Sequence, residues 1–124
     1  MTILTPKAPQ PIGPYSQAIR NGDILFCSGQ IALDPVSGAM KNASIAEEAN
    51  QVLENLREVL REGGSDFPQV LKTTIFLTDM NDFTAVNEVY GKAFGDAKPA
   101  RSTIAVSALP KGARVEIECI AHVG

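Results

Sequence analysis

Arg114-Val115-Glu116-Ile117-Glu118-Cys119-Ile120-Ala121-His122 alternates with the period of a β-strand. Successive side chains of a strand point to opposite faces, so this stretch divides into two sets. Val115, Ile117, Cys119 and Ala121 form a core face. Arg114, Glu116, Glu118, Ile120 and His122 form a half-polar one. A sheet built around such a strand has one side to bury and one side left over. The second side meets water, as antiparallel sheets often do, or it meets another copy of the same face.

The segments before it supply the cover. Ser44 to Glu62 reads as a helix with Ile45, Ala49, Val52, Leu53, Leu56, Val59 and Leu60 on one stripe. Ser44 and Glu47 fit a capping box, and Gly63-Gly64 ends the helix in a left-handed cap. Val70 to Thr78 reads as a strand with Leu71, Thr73, Ile75 and Leu77 on one side and Lys72, Thr74, Phe76 and Thr78 on the other. A second helix starts at Asp79 or Asn81 and runs to about Phe94, with Phe83, Val86, Tyr90 and Phe94 as its stripe. Ser102 to Ala108 and Arg114 to Val123 are the last strands. Toward the amino terminus, Pro6, Pro9, Pro11 and Pro14 predict an irregular arm. Tyr15 to Ile19 and Ile24 to Ser28 are strands joined by an Asn21-Gly22 turn. The order is strand, strand, helix, strand, helix, strand, strand. It predicts an α+β fold with two helices on one face of one sheet, and its 124 residues fit one domain, 1–124.

Composition narrows the function. Apolar residues make up 44% of the chain, enough for an ordinary core, and the net charge is −3. That leaves no basic footprint for a phosphate backbone, so no nucleic-acid partner is expected. Cys27 and Cys119 are far apart and form no CxxC pair, which argues against a disulfide framework or a zinc site. No apolar run reaches membrane-spanning length and no signal peptide is visible, so a soluble, cytoplasmic protein is the default.

Arg101 and Glu116 are the candidate functional pair. Arg101 stands in Pro99-Ala100-Arg101-Ser102-Thr103, at the start of an apolar run. A guanidinium there suits a carboxylate, because its planar donors match both oxygens. A carboxylate in a half-buried strand suits proton transfer, because burial tunes its pKa. The plain alternatives are an exposed ion pair for Arg101 and a solvent-facing strand residue for Glu116, with Glu118 as competitor on the same face. A simple hairpin turning at Lys111-Gly112 would hold the pair about 17 Å apart. A shared site therefore needs a non-adjacent strand order or residues from two subunits. The expectation is an oligomer with interfacial clefts.

Several stretches together resemble one family. Ile12-Gly13-Pro14-Tyr15-Ser16-Gln17 and Ser28-Gly29-Gln30 are similar to the amino-terminal signature of the RidA/YjgF reactive-intermediate deaminases. Lys72 to Leu77, Met80-Asn81-Asp82-Phe83 and Val86-Asn87 follow that family's middle, and Pro99 to Thr103 with Val115 to Glu118 follow its carboxy-terminal signature. The resemblance implies a chorismate mutase-like fold: a mixed six-stranded sheet with two helices on one face, assembled as a homotrimer around a central barrel. It implies hydrolysis of 2-imino acids, such as 2-iminobutanoate and 2-iminopropanoate, or of their enamine tautomers. The products are 2-keto acids and ammonia, with no metal or other cofactor. Carried over by position, Arg101 would hold the substrate carboxylate, Glu116 would assist water attack or proton transfer, and Tyr15 would bring a hydroxyl. Gly29, with Ser28 beside it, would present backbone groups to the ligand. Asn87 and Phe83 would line the adjoining wall. Thr103 would contact substrate at a position where the family often has cysteine, which rules out a thiol role there. A non-catalytic keto-acid-binding trimer and a chaperone-like protein are the alternatives that the resemblance leaves open.

Overall fold

β4 (Val70–Leu77) and β6 (Val115–His122) pair antiparallel at the middle of the sheet, joining Ile75 to Ile117 and Phe76 to Glu116. The computed structural model describes residues 1–124. The other elements are β1 (Thr2–Ile3), β2 (Ala18–Asn21), β3 (Ile24–Gln30), α1 (Ile45–Glu62), α2 (Phe83–Phe94) and β5 (Ala100–Ala105). The six strands lie in the order β1-β2-β3-β6-β4-β5. Only β4 and β5 run parallel, so the sheet is mixed. Both helices pack on one face. This is the chorismate mutase-like architecture. No helix is long and apolar enough to cross a membrane.

The core follows the alternation of β6. Val115, Ile117, Cys119 and Ala121 are buried, together with Leu25, Ile75 and Leu77 from neighbouring strands. The α1 stripe of Ala49, Val52, Leu53, Leu56, Val59 and Leu60 covers them, and Val86, Tyr90 and Phe94 of α2 extend the cover. Cys27 and Cys119 are register partners in this core, both free. The hydrogen bond from Cys27 and burial hold the Cys119 thiol protonated. The opposite side of the sheet carries exposed Ile19, Phe26 and Ile104 beside Glu118 and His122.

Several local details differ from the sequence reading: β2 begins at Ala18 rather than Tyr15, and β5 starts at Ala100 and stops at Ala105 rather than running from Ser102 to Ala108. The arm is not wholly irregular, because Thr2 and Ile3 pair with Ile19 and Ala18. Leu71 is exposed rather than buried, because the register slips between Val70 and Lys72 and turns Val70 inward. At the end of α1 the left-handed residue is Gly64, at φ 86°, while Gly63 stays helical at φ −80°. A side chain at Gly63 would strike Leu25, so close packing accounts for that glycine. Of the capping box, the Ser44 half is present: its hydroxyl accepts from the Glu47 amide at 3.1 Å.

One ionic contact anchors the start of β6. Glu48 of α1 is fully buried, and its carboxylate accepts from the Arg114 amide and from Arg114 Nε, each at 2.7 Å. Arg114 also donates to the Asn42 carbonyl at 2.9 Å. The Arg114 side chain is itself part-exposed, so it is removal of Arg114 that strands a charge, the buried Glu48 carboxylate, at a cost of about 3 kcal/mol. Arg114→Met, which leaves the buried Glu48 carboxylate without its cation, is expected to lower unfolding stability by about that amount in urea titrations, against well under 1 kcal/mol for Glu54→Ala on the exposed side of α1.

Candidate active site

The bulge between β3 and β6 sets the first half of the site. Cys27 pairs with Cys119 and Gln30 with Ile117, so β3 carries one extra residue around Ser28-Gly29. The disrupted pairing lies opposite Glu118, and Glu116, two residues along on the same face of β6, reaches back to it. The Glu116 side chain lies against the Gly29 backbone: a Cβ at Gly29 would stand 2.6 Å from Glu116 Oε2. Glycine is therefore required here for close approach. Ser28 closes the bulge from behind, since its hydroxyl donates to the Ser16 carbonyl at 2.6 Å.

The proline-rich arm walls this half. Gln17, which sequence reasoning passed over, is buried and holds the arm through its amide. It accepts from the Thr5 amide at 2.7 Å and donates to the carbonyls of Thr5 at 3.1 Å and Pro9 at 2.9 Å. Asn55 of α1 holds the opposite wall by donating to the Ile31 and Leu33 carbonyls at 3.0 and 2.8 Å. Between these walls lies a cleft of about 360 Å³, lined by Tyr15, Ser28, Gly29 and Glu116 with an apolar rim that includes Ile12 and Leu33. Burial raises the Glu116 carboxyl above its ordinary value, and the charge of Glu118 adds to the rise. Such a group can take and return a proton nearer to neutrality.

The second half lies elsewhere. Arg101 of β5 is the register partner of Thr73 and faces the helices. Its guanidinium donates to Asn87 Oδ1 at 2.7 Å and lies over the rings of Tyr90 and Phe83, at 5.0 and 5.7 Å from their centroids. It borders a separate groove of about 490 Å³ with Asn87, Tyr90 and Lys98. Thr103, two residues along the same face, has a buried hydroxyl with no hydrogen-bond partner. Tyr15, Ser28, Gly29 and Glu116 are thus together, and Arg101, Asn87 and Phe83 are together. Within one chain the two groups do not meet. Asn87 and Phe83 hold Arg101 itself, a role that the motif spacing gave no means of seeing.

The parity of the sheet accounts for the separation. Glu116 sits between inward Val115 and Ile117, so it points away from the helices. Arg101 points toward them. Across β4 the two Cα atoms are about 14 Å apart, with the sheet between their side chains.

The contact at Gly29 gives a direct check. Gly29→Ala must push the flexible Glu116 side chain outward, toward water. The Glu116 carboxyl is then expected to titrate closer to an ordinary glutamate when followed by NMR, with global stability lowered by no more than about 1 kcal/mol.

Comparison with known proteins supports a single family assignment. The family model described as Endoribonuclease L-PSP matches residues 5–123. The chain is 52% identical over 122 residues to the 2-iminobutanoate/2-iminopropanoate deaminase of Mus musculus, covering 98% of this chain and 89% of that one. It is 48% identical over 120 residues to a RutC family protein of Pyrococcus abyssi, covering 97% and 94%. Among solved structures it is similar to E. coli TdcF with bound serine, at a TM-score of 0.95 and 38% identity, covering 100% of this chain and 99% of that one. The chain belongs to the Endoribonuclease L-PSP family, the family also known as RidA/YjgF.

Proposed function

We propose that the protein hydrolyses 2-imino acids, among them 2-iminobutanoate and 2-iminopropanoate, to 2-keto acids and ammonia. We further propose that it acts as a homotrimer in which the Arg101 of one subunit faces the Glu116 of the next. The carrying observation is the pairing of opposites on one sheet. A braced cation stands on the helix side, and a half-buried carboxylate with a raised pKa stands on the other. Each lacks its complement within its own chain. The exposed Ile19, Phe26 and Ile104 on the open face offer apolar area for subunits to join. The names of relatives at about half identity support the choice of substrate.

The chemistry fits those groups. Arg101 grips the substrate carboxylate through two parallel hydrogen bonds and orients the imine carbon. Water adds to that carbon while Glu116 accepts its proton, giving a tetrahedral carbinolamine. Glu116 returns the proton to nitrogen, and the carbon–nitrogen bond then breaks as the carbinolamine hydroxyl gives up its own proton to the ionised Glu116, leaving the ketone and free ammonia. The Gly29 backbone and the Tyr15 hydroxyl are the remaining groups at hand, whereas the Thr103 hydroxyl is buried away from both grooves. A ribonuclease role is disfavoured by the net charge of −3 and by the lone histidine, His122, which lies outside both grooves.

A threonine dehydratase that generates 2-iminobutanoate provides the assay. The protein is expected to speed imine decay. Arg101→Ala should lower kcat/KM by about 10–100-fold, the worth of a charge-assisted pair, and Glu116→Gln by about 100-fold or more. Unchanged imine decay on adding the wild-type protein would reject the activity. Tight 2-ketobutanoate binding without turnover would select a keto-acid-binding role instead.

The shared site predicts complementation. Arg101→Ala and Glu116→Gln subunits, refolded together in equal amounts, should recover about a quarter of wild-type activity, because some interfaces then join two intact halves. Recovery of none would place each site within one chain. The pH profile adds a third check. Glu116 must be ionised to accept a proton, and its raised pKa moves the acid limb above the ordinary glutamate range. Glu118→Gln removes the repelling charge and should shift that limb to lower pH.

A further inference from the structure

We propose that Tyr90 is the positioning residue that fixes the plane of the Arg101 guanidinium and leaves its donor edge free for the substrate carboxylate. The inference rests on the reading of Arg101 as the carboxylate-binding group. It adds the reason why that group is held ready.

Arg101 stands exposed on an edge strand. A free arginine there has rotamer entropy to lose when it grips a ligand. The structure removes part of that freedom in advance. Phe83, Asn87 and Tyr90 stand at i, i+4 and i+7 on one face of α2 and meet the guanidinium together. Asn87 accepts one hydrogen bond from a terminal nitrogen, at 2.7 Å. The two rings attract the cation through their faces. A ring face consumes none of the in-plane N–H groups. With one of five donors spent on Asn87, the fork keeps a free edge for two parallel bonds to a carboxylate.

Tyr90 is the better fixed of the two rings. Its hydroxyl shares a 2.7 Å hydrogen bond with Thr73 Oγ1 in the core. Its ring stacks on Phe94 at 4.4 Å between centroids and 22° between planes. Thr73 is also the register partner of Arg101 on the neighbouring strand. The contacts close a loop: the strand places Arg101 beside Thr73, Thr73 holds the Tyr90 hydroxyl, and the Tyr90 ring carries the guanidinium. Burial raises the phenol pKa, so Tyr90 stays neutral and does not form an ion pair with Arg101. Phe83 lies farther from the cation and lacks such an anchor. Tyr90 acts through Arg101 alone.

Three substitutions separate this role from packing. Tyr90→Phe keeps the ring, Tyr90→Leu removes it, and Val59→Ala loosens the same core from α1, away from the Arg101 groove. The first readout needs no ligand. In NMR spectra, ring current should displace the Arg101 Nε–Hε resonance upfield, and that displacement should persist in Tyr90→Phe and shrink in Tyr90→Leu to what the Phe83 ring alone gives. The second is kinetic. Tyr90→Leu should raise KM for 2-iminobutanoate about five- to tenfold with kcat within about twofold, while Tyr90→Phe and Val59→Ala keep KM within about twofold. A Tyr90→Leu protein with wild-type KM and an unmoved resonance would overturn the proposal. So would a Val59→Ala protein that matches it in KM. Should Tyr90→Leu fail to fold, Tyr90→Met fills the space without a ring and carries the same expectations. If the wild-type protein hydrolyses no imine, only the deaminase reading falls. The resonance and the affinity for 2-ketobutanoate then decide the role of Tyr90.

Discussion

The two-residue period of β6 is the constraint from which the rest of the molecule follows. Four of its side chains are committed to a core that α1 and α2 close, so the residues between them have no choice of side. Glu116 is one of those residues. Arg101, two strands across the sheet at its edge, obeys the same parity and comes out on the helix side. Slipping β6 by one residue would bring Glu116 to the helix side, but it would also turn Val115, Ile117, Cys119 and Ala121 out of the core. The buried pair of Glu48 and Arg114 guards against that slip, since it ties the first turn of α1 to the residue that begins the strand. The separation of the two charges is thus enforced by the hydrophobic core itself.

Each charge is prepared by a different device. Glu116 is prepared by loss of water: the Gly29 bulge lets its side chain lie on backbone, and the arm tied down by Gln17 walls the cleft. Arg101 is prepared by contacts that cost it little solvation, with two ring faces and one amide oxygen. The contrast follows from the hydration of the two groups. A guanidinium is weakly hydrated and can rest on aromatic rings while its edge stays wet. A carboxylate is strongly hydrated, so partial burial is enough to move its pKa.

The sequence disclosed the parts whose signal is local. The stripe of α1 and the alternation of β4 and β6 are periodic over eight residues or more, and both appear where periodicity puts them. Pairing partners are not local. Nothing in Ser102–Ala108 says that it will lie parallel to β4 rather than turn back along β6, so a hairpin estimate for the Arg101–Glu116 distance had no means of seeing the intervening strand. Leu71 shows the same limit on a smaller scale, because a register slip against β6 overrides its place in the alternation. At the site, Arg101 and Glu116 stood out as charges interrupting apolar runs. Tyr90 and Gln17 did not. A tyrosine in an apolar helix stripe looks like core until the guanidinium is seen on its face, and a glutamine after a proline-rich arm looks like surface until its amide is found among backbone carbonyls.

The proposed meeting of the two halves contains an opposition that the substrate itself resolves. A bare Arg101 brought close to Glu116 would stabilise the carboxylate and pull its pKa down, weakening it as a base. A substrate carboxylate on the guanidinium cancels most of that field. Glu116 then feels mainly its own burial and the charge of Glu118, both of which raise its proton affinity. Binding and basicity are therefore coupled in the useful direction: the acid that orients the imine also restores the base that must take a proton from water. The coupling requires a guanidinium that stays in one place while its charge is masked. A carboxylate bound to a mobile arginine would instead carry the cation with it, and the field at Glu116 would vary with each orientation. A rigid platform beneath Arg101 is what makes the neutralisation act at one point.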